Sequence, residues 1–241
     1  MVPSTARSST RCSTWPSRGS VVWTRRNRRH LAAEARPLVL ATRSKGKLRE
    51  LHGILDEFGL AGIDVQGRGI PWSDEEDLIE RFDTFEANAL AKARYFHERS
   101  GGLPTLADDS GICVVALGGA PGVWSKRYSG RDDLSGQRLD DANNAKLLQE
   151  LDGAADWSAS YSCAAAFVDN QTEVVTMGET HGTILREPRG DGGFGYDPYF
   201  LSRELHRTFG EASIEDKAVI SHRGRAFRAL FAALRGYGRS L

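Results

Sequence analysis

Short apolar segments alternate with amphipathic ones through residues 38–241, and this alternation is the strongest constraint on the fold. Leu38–Ala41 has the length and apolar character of a buried strand, and an amphipathic helix is predicted directly after it. The alternation continues, with helices predicted over 45–58, 84–99, 134–151 and 222–234, and strands over 62–66, 103–107, 112–117, 159–168 and 173–185. The last two strands are close enough to form a hairpin. The pattern therefore predicts an α/β fold with a mixed sheet and flanking helices.

The composition is that of a globular chain. The 241 residues are 40% hydrophobic and 27% charged, and no apolar run reaches the roughly 18 residues of a membrane-spanning helix. The three cysteines, Cys12, Cys113 and Cys163, form no C-x-x-C pair. A disulfide framework and a zinc site are therefore not indicated, and the reducing cytoplasm is the expected location.

Charge is distributed unevenly along the chain. Lys+Arg and Asp+Glu both number 32, but residues 1–37 hold eight Arg, no Lys and one acid, Glu34, so this stretch is net +7 and residues 38–241 are net −7. A segment of this composition buries too little apolar surface to offset its ordering entropy, so residues 1–37 are predicted to be a disordered basic extension. A targeting peptide and a nucleic-acid-binding arm both fit. An inert extension is favoured, because the first predicted strand begins directly after it.

A first polar cluster, Thr42–Lys47, separates the first strand from the first helix. Ser44 stands at the position of an N-cap. The N-terminus of a helix presents unpaired N–H groups and a positive dipole end, which suit a phosphate. Positive charge is added there by Arg43, Lys45 and Lys47. A phosphate-binding loop and a solvated cationic turn are both compatible with this pattern.

A second cluster, Asp108-Asp109-Ser110-Gly111, is predicted to form a polar elbow between two strands. Adjacent acids at a strand end can supply oxygen ligands to Mg²⁺ and a general base for water. A tight Asp-Ser-Gly turn is an equally good interpretation. The same three residues also match the motif of aspartic peptidases, which would require a dimer because the motif occurs once.

The third cluster is the glycine-rich segment Gly190–Pro198. It satisfies G-x-G-x-x-G, but no strand precedes it and no helix follows it, so a dinucleotide-binding site of the Rossmann type is excluded. Glycines around Phe194 and Tyr196, with Asp197 beside them, favour a loop that encloses a flat ring by stacking and by polar contact with its edge. A glycine-rich turn with two rings in the core is the alternative.

A fourth cluster combines Lys217 with Ser221-His222-Arg223. Ser221 has the position of an N-cap, which places His222 and Arg223 in the first helical turn. Cations there oppose the helix dipole unless they meet an anion or an acceptor. The cluster indicates a partner for these side chains, with a solvated basic turn as the alternative.

Together these motifs resemble those of the inosine/xanthosine triphosphate pyrophosphatase family, which hydrolyses non-standard purine nucleoside triphosphates. The shared segments follow the family's order and span about residues 38–235. They are Thr42–Lys47, Glu80 ahead of Thr84–Ala89, Ala107–Gly111, Gly118–Gly122, Gly192–Pro198, Lys217 and Ser221–Gly224. The resemblance implies a long mixed sheet with two lobes and a cleft between them, in a homodimer. It further implies that residues 38–241 form the nucleoside triphosphate pyrophosphatase domain.

The resemblance also implies a role for each matching residue. Glu80 and Asp109 would bind Mg²⁺, with Asp109 also the proton acceptor and Asp108 supporting both. The substrate-binding residues would be Thr42, Arg43, Ser44, Lys45, Gly46, Lys47 and Lys217 for the triphosphate, Ser110 beside them, and Phe194, Gly195, Tyr196, Asp197, His222 and Arg223 around the base. One departure is Ser44, where the family usually has Asn, since a hydroxyl is shorter and offers fewer donors.

The implied partner is a purine nucleoside triphosphate, with neither nucleic acid nor membrane involved. Donors from His222 and Arg223 would pair with the 6-oxo group of hypoxanthine or xanthine and oppose the 6-amino group of adenine. ITP, dITP and XTP are therefore the expected substrates, and ATP and GTP poor ones. A nucleotide-binding sensor without turnover is the main alternative, and a dimeric aspartic peptidase a weaker one.

Overall fold

The structure, a computed structural model, describes residues 22–25 and 37–236. The helices are α1 Lys45–Glu57, α2 Glu76–Ile79, α3 Phe85–Arg99, α4 Gln137–Leu151, α5 Ile214–Ile220 and α6 His222–Gly236. The strands are β1 Val22–Arg25, β2 Leu38–Leu40, β3 Gly62–Asp64, β4 Thr105–Val114, β5 Ser158–Val168, β6 Thr172–Ile184 and β7 Phe200–Ser202. Short 3-10 helices lie over Val115–Leu117, Gly122–Arg127 and Asp197–Tyr199.

The strands form one seven-stranded mixed sheet. Its order is β1-β6-β5-β4-β2-β3, and β7 pairs with the far end of β6. Strand β2 is parallel to both β3 and β4, and the other pairs are antiparallel. The predicted α/β fold with a mixed sheet and flanking helices is confirmed, as is the hairpin that joins β5 and β6.

Helices cover both faces of the sheet because successive strand residues point to opposite sides. Leu38 and Leu40 of β2 pack with α1 and α6 in one core, and Val39 packs with α3 in a second core on the other face. The long strands β4, β5 and β6 continue past these cores into a third one. That core contains Ile112 and other apolar side chains of β4 and β5, and it is closed by α4.

The polar residues of β4 lie between these cores. Leu106 and Ala107 belong to the first two cores, and Ile112 belongs to the third. The buried residues Asp108 and Asp109 come between them. Two charged side chains are thus carried in the middle of the molecule by a strand that is anchored in apolar cores on either side.

The prediction of an elbow at 108–111 is wrong. Asp108, Asp109, Ser110 and Gly111 lie within β4 and pair in continuous antiparallel register with residues 165, 164, 163 and 162 of β5. The ladder satisfies the backbone of this segment, so no turn forms there. Carboxylates are tolerated inside the strand because buried cations and an amide accompany them, as described below.

The long predicted helices are confirmed, and so are two predicted caps. The hydroxyl of Ser44 accepts a hydrogen bond from the Lys47 amide at 3.4 Å, and that of Ser221 accepts one from the Gly224 amide at 3.0 Å. The short elements α2, α5 and β7 were not predicted. Each has seven residues or fewer, which is too short for a clear periodic pattern.

Four residues of the basic extension differ from the predicted disorder. Val22–Arg25 forms β1, which pairs antiparallel with residues 172–175 at the start of β6. The remainder of residues 1–36 lies outside the described part of the chain. The division into an extension and a domain at residue 37 therefore stays a prediction. Among the described residues, no helix combines the length and apolar character needed to cross a membrane.

Gly178 of β6 sets the distance between the sheet and α6. A Cβ atom at this position would lie 2.2 Å from the carbonyl oxygen of His222 and 2.4 Å from the amide nitrogen of Ala226. Beside it, Thr176 donates to the Ala226 carbonyl at 2.7 Å and Thr180 to the Ile220 carbonyl at 2.6 Å. The strand is therefore bonded to α6 on one side of the glycine and to the last residue of α5, directly ahead of α6, on the other.

Gly178→Ala is expected to lower the free energy of unfolding by about 1–3 kcal/mol, because the methyl group would force these backbones apart. Gly53→Ala is the matched control. Gly53 lies inside α1, and an added Cβ there has nothing within 4 Å, so alanine should stabilise by about 0.5–1 kcal/mol. Urea unfolding of both variants measures the difference. Equal effects would show that the contact between β6 and α6 is not tight.

Candidate functional site

Asp108 and Asp109 point to opposite faces of the sheet because they are neighbours on one strand. The Asp108 carboxylate lies on the face of α1 and α6, where Lys47 and Arg223 are its cationic partners. The Asp109 carboxylate lies on the face of α3, where Asn88 donates to it. One strand therefore supplies two acids with different surroundings.

Asp108 is held ionised by buried cations. Its Oδ2 atom lies 3.1 Å from Lys47 Nζ and accepts a hydrogen bond from Arg223 Nε at 3.0 Å. Burial alone would raise the pKa of Asp108, but the charges of Lys47 and Arg223 outweigh it and hold that pKa well below its usual range. Arg223 Nη2 also donates to the Ser110 hydroxyl at 2.7 Å. These contacts place three predicted site residues, Lys47, Ser110 and Arg223, around one carboxylate.

Glu50 continues this charge network on α1. It contacts Arg223 Nη1, and its Oε1 lies 2.7 Å from Lys217 Nζ, which in turn donates to Asp197 Oδ2 at 2.6 Å. Burial opposes ionisation, but Arg223 and Lys217 lower the pKa of Glu50 to about 2. Sequence reasoning missed Glu50. The available signal was its position one turn after Lys47, on the same side of an amphipathic helix.

The Phe194 ring lies over the N-terminus of α1. A Cβ atom on Gly46 would be 2.5 Å from Phe194 Cδ1, so only glycine fits beneath the ring. Lys217 Nζ is 5.1 Å from the ring centroid and Arg223 Cζ is 5.9 Å from it, within or close to the range of cation–π contacts. The predicted phosphate loop, Thr42–Lys47, therefore lies against the glycine-rich segment Gly190–Pro198, which we call the aromatic loop. The cations Lys217 and Arg223 lie at the same place.

His222 is buried beside this cluster as a neutral ring. It stacks on Tyr161 with the ring centroids 4.6 Å apart and the planes 9° from parallel. Burial and the charge of Arg223 lower the pKa of His222 well below its usual value. Its Nδ1 atom is buried without a hydrogen-bond partner among the described residues. An unpaired buried ring nitrogen is available to a ligand that brings its own polar group.

Asp109 lies in a more repulsive environment on the other face. Its Oδ2 accepts a hydrogen bond from Asn88 Nδ2 at 2.9 Å, and its Oδ1 accepts one from the Ser110 amide at 2.9 Å. Burial and the nearby charge of Glu80 nevertheless raise the pKa of Asp109 to about 6. A carboxyl group with its pKa near neutrality is suited to accept a proton.

Glu80 is held beside Asp109 by two cations. Lys92 of α3 contacts its carboxylate, and Arg127 donates to its main-chain carbonyl. Burial disfavours the charged form of Glu80, but Lys92 and Lys47 lower its pKa to about 2. Asn88 also fixes the approach to Glu80, since it bonds both the amide and the carbonyl of Phe82 at 2.9 and 3.1 Å. Asn88 lies within the shared segment Thr84–Ala89, but no role was assigned to it, and Lys92 lies outside every motif.

Glu80 and Asp109 fit a divalent cation that also binds phosphate. The two carboxylates are close enough for one to raise the pKa of the other, and a divalent cation would relieve this repulsion. On the other face of the strand, the Oδ1 atom of Asp108 is a further buried acceptor that has no hydrogen-bond partner among the described residues. Among the described residues, no group of three or more His, Cys, Asp and Glu side chains forms a metal cage. This donor set suits Mg²⁺, which takes one or two carboxylates and completes its shell with phosphate oxygens and water.

Two predicted site residues, Arg43 and Tyr196, contact other parts of the protein, and the side chain of a third, Lys45, has no hydrogen bond or ion pair with the cluster described above. Arg43 pairs with Glu76 at 2.7 Å and donates to the carbonyls of residues 70 and 71, away from Lys47. Lys45 is exposed. The Tyr196 ring is buried in the third core, and its hydroxyl donates to the Ser125 carbonyl at 2.8 Å. A loop sequence shows which residues it contains but not which side each side chain takes.

The remaining predicted residues support the loops themselves. Thr42 is buried, and its hydroxyl accepts a hydrogen bond from the Ser44 amide at 3.2 Å. Asp197 accepts from the Phe194 amide at 2.8 Å in addition to Lys217, and Gly195 has a left-handed φ of 63°. Asp197 is therefore engaged with the protein's own groups.

The long mixed sheet, with cations and carboxylates gathered at a helix N-terminus, defines an α/β protein whose site is built for an anionic ligand with a flat group. The Ham1 family model matches residues 38–233, and the chain belongs to the Ham1 family. The resemblance drawn from the motifs is thereby confirmed.

Curated and solved relatives agree with this membership. A dITP/XTP pyrophosphatase of Ralstonia nicotianae is 46% identical over 204 residues, covering 83% of this chain and 97% of that protein. A dITP/XTP pyrophosphatase of Mycobacterium tuberculosis is 46% identical over 202 residues, covering 82% and 95%. The structure of a HAM1 protein from Coxiella burnetii matches with a TM-score of 0.70 and 36% identity, covering 83% of this chain and 98% of that one.

Proposed function

We propose that this protein hydrolyses non-standard purine nucleoside triphosphates, with dITP, ITP and XTP as substrates, to the monophosphate and pyrophosphate. The observation that carries the proposal is the pair of adjacent acids on β4. Asp108 anchors the cations that would meet the phosphates, and Asp109, with its pKa raised to about 6, lies beside Glu80. The names of the curated relatives support the substrate class.

The triphosphate would bind at the N-terminus of α1. The first-turn amides of α1 and the cations Lys47 and Lys217 would neutralise the phosphate charge and the charge that develops on the leaving pyrophosphate. In the structure Lys47 pairs with Asp108, and Lys217 pairs with both Glu50 and Asp197. The Phe194 ring lies over Gly46, next to the place proposed for the phosphates.

Asp109 would accept the proton of the attacking water. Glu80 and Asp109 are the residues that would hold Mg²⁺, which supplies neutralisation of phosphate charge when bound. Asn88 keeps the Asp109 carboxylate oriented through its 2.9 Å hydrogen bond. On this proposal Asp109 is the catalytic residue, and Glu80 is its partner at the metal.

The base would be enclosed on the Phe194 side of the cluster. Phe194 offers a ring face, and His222 and Arg223 offer polar groups to the 6-oxo edge of hypoxanthine or xanthine. The buried, unpaired Nδ1 of His222 supports this assignment. The 6-amino group of adenine would place a donor opposite the donors of His222 and Arg223, so neither side would form a hydrogen bond. Each buried unpaired donor weakens binding by about 1–3 kcal/mol.

The assembly and location belong to the same proposal. A homodimer is supported by exposed apolar side chains, among them Val115 at 62% and Trp124 at 49% exposure. The cytoplasm is proposed from the cysteine pattern, with no nucleic acid or membrane as partner. Residues 38–241 are proposed to form the catalytic domain. The basic extension is proposed to be dispensable for activity, although its residues 22–25 add β1 to the edge of the sheet. The peptidase alternative is not supported, because its Asp-Ser-Gly segment lies inside a strand rather than in a turn.

The substrate proposal is tested by pyrophosphate release. ITP, dITP and XTP should be hydrolysed in Mg²⁺, with ATP and GTP at least tenfold slower, and EDTA should abolish the reaction and added Mg²⁺ restore it. The five nucleotides are assayed at one concentration, with and without EDTA. Equal rates on ATP would contradict the selectivity, and tight binding of dITP without release of pyrophosphate would favour the nucleotide sensor.

A further inference from the structure

Helix α4 binds the aromatic loop by hydrogen bonds to the backbone N–H and C=O groups of one residue, Gly195. Asp140 Oδ2 accepts a hydrogen bond from the Gly195 amide at 3.0 Å, and Asn144 Nδ2 donates to the Gly195 carbonyl at 3.0 Å. The two side chains stand four residues apart, so they project from the same side of the helix. Asn144 is buried and Asp140 is half-buried. No motif identified in the sequence includes either residue.

The residue that these two side chains hold is a glycine whose backbone would otherwise have wide conformational freedom. Gly195 adopts a left-handed φ of 63°, and an added Cβ there would meet nothing within 4 Å, so packing does not hold it in place. A glycine in open space samples many conformations unless its N–H and C=O are bound. Gly195 directly follows Phe194, so hydrogen bonds that hold the Gly195 backbone also limit how far Phe194 can move.

The same helix also holds the segment next to Glu80. Asn143 accepts from the Ser129 amide at 2.8 Å and donates to the Lys126 carbonyl at 3.0 Å. Between those residues, Arg127 donates to the carbonyl of Glu80. Asp140 and Asn144 of α4 thus bind the aromatic loop, and Asn143 of the same helix binds the segment that supports Glu80.

We propose that Asp140 and Asn144 are positioning residues that fix the Phe194 loop and thereby set the affinity for the nucleobase. The inference rests on the proposed function, since Phe194 must face the base for the loop to matter to substrate binding. The loop lies on the base side of the site, whereas Asp109 is held by Asn88 from α3. Loosening the loop therefore weakens the binding of the substrate and of the transition state equally. Such a change raises KM and leaves kcat nearly unchanged.

Steady-state kinetics with dITP tests the assignment on the full-length chain. Asp140→Ala and Asn144→Ala are each expected to raise KM about tenfold, equivalent to about 1.4 kcal/mol, with kcat within threefold of wild type. Asp140→Asn keeps an oxygen that can accept from the Gly195 amide, so it should restore a near-normal KM. The matched control is Asp141→Ala. Asp141 is exposed on the same helix and accepts a hydrogen bond from Gln137 at 2.8 Å.

Hydrogen exchange of the loop provides a readout that is independent of turnover. Peptides covering residues 190–197 should exchange faster in Asp140→Ala and Asn144→Ala than in wild type, and unchanged in Asp141→Ala. Unchanged exchange, or a fall in kcat as large as the rise in KM, would overturn the positioning role. If the wild-type protein released no pyrophosphate from dITP, the proposed function would fail separately, while the exchange data would still decide whether α4 fixes the loop.

Discussion

Asp109→Asn is expected to reduce kcat for dITP by about 10²–10⁴-fold while dITP still binds. The amide cannot accept a proton from water, and general bases contribute on this scale. Asparagine keeps a carbonyl oxygen that can accept from Asn88, and it removes the charge that Glu80 repels. The variant should therefore fold. Single-turnover assays give the rate, and isothermal titration with dITP gives the affinity.

Asp74→Asn is the control for this variant. Asp74 is an exposed carboxylate on the segment that leads to Glu80, so its loss should leave both the rate and the affinity unchanged. If Asp109→Asn lost nucleotide binding together with activity, the residue would be structural rather than catalytic. Normal turnover by Asp109→Asn would remove the basis of the proposed mechanism.

Arg223→Met is expected to give the largest loss of stability, about 3–5 kcal/mol in the free energy of unfolding. Arg223 is 1% exposed and bonds to Asp108, Glu50 and Ser110. Removing it leaves two buried carboxylates without their shared cation, and this is the situation in which breaking a buried ion pair destabilises most. Urea unfolding, monitored by circular dichroism, measures the loss.

Arg225→Met isolates the effect of burial on the same helix. Arg225 is also a salt-bridged arginine of α6, but its side chain is 37% exposed and its partner Glu204 is 45% exposed. An exposed ion pair contributes about 0–1 kcal/mol, so this variant should lose no more than that. If Arg223→Met lowered the free energy of unfolding by no more than about 1 kcal/mol, as expected for Arg225→Met, the buried network would not stabilise the fold.

The sheet and its long helices could be predicted because their signals are local. The helices α1, α3 and α6 each repeat apolar residues at helical spacing over four turns or nearly four, and Ser44 and Ser221 mark two of their starts. The strand β4 could not be predicted as one element. Two acids within a strand contradict its local preference, and only the cations and the amide brought by α1, α3 and α6 make them acceptable there.

The charged partners of the site could be predicted only in part. The motifs contained Lys47, Asp109 and Arg223, but not Glu50 or Lys92, whose roles depend on residues 173 and 12 positions away. Arg43 shows the opposite case. It stands within the phosphate motif, yet its guanidinium binds Glu76 across a sequence separation of 33 residues. Long-range pairing decides these roles, and a single sequence does not record it.

The placement of the two acids on opposite sides of β4 separates two kinds of evolutionary change. Substitutions on α3 act first on the hydrogen-bond partner of Asp109, and substitutions on α1 and α6 act first on the ion-pair partners of Asp108. The charges of Lys47 and Lys92 reach both acids. A lineage could therefore change the side chains that hold Asp108 while Asn88 still holds Asp109. Insertion of a single residue ahead of Asp108 would turn each acid to the opposite face of the sheet and remove both from their present partners.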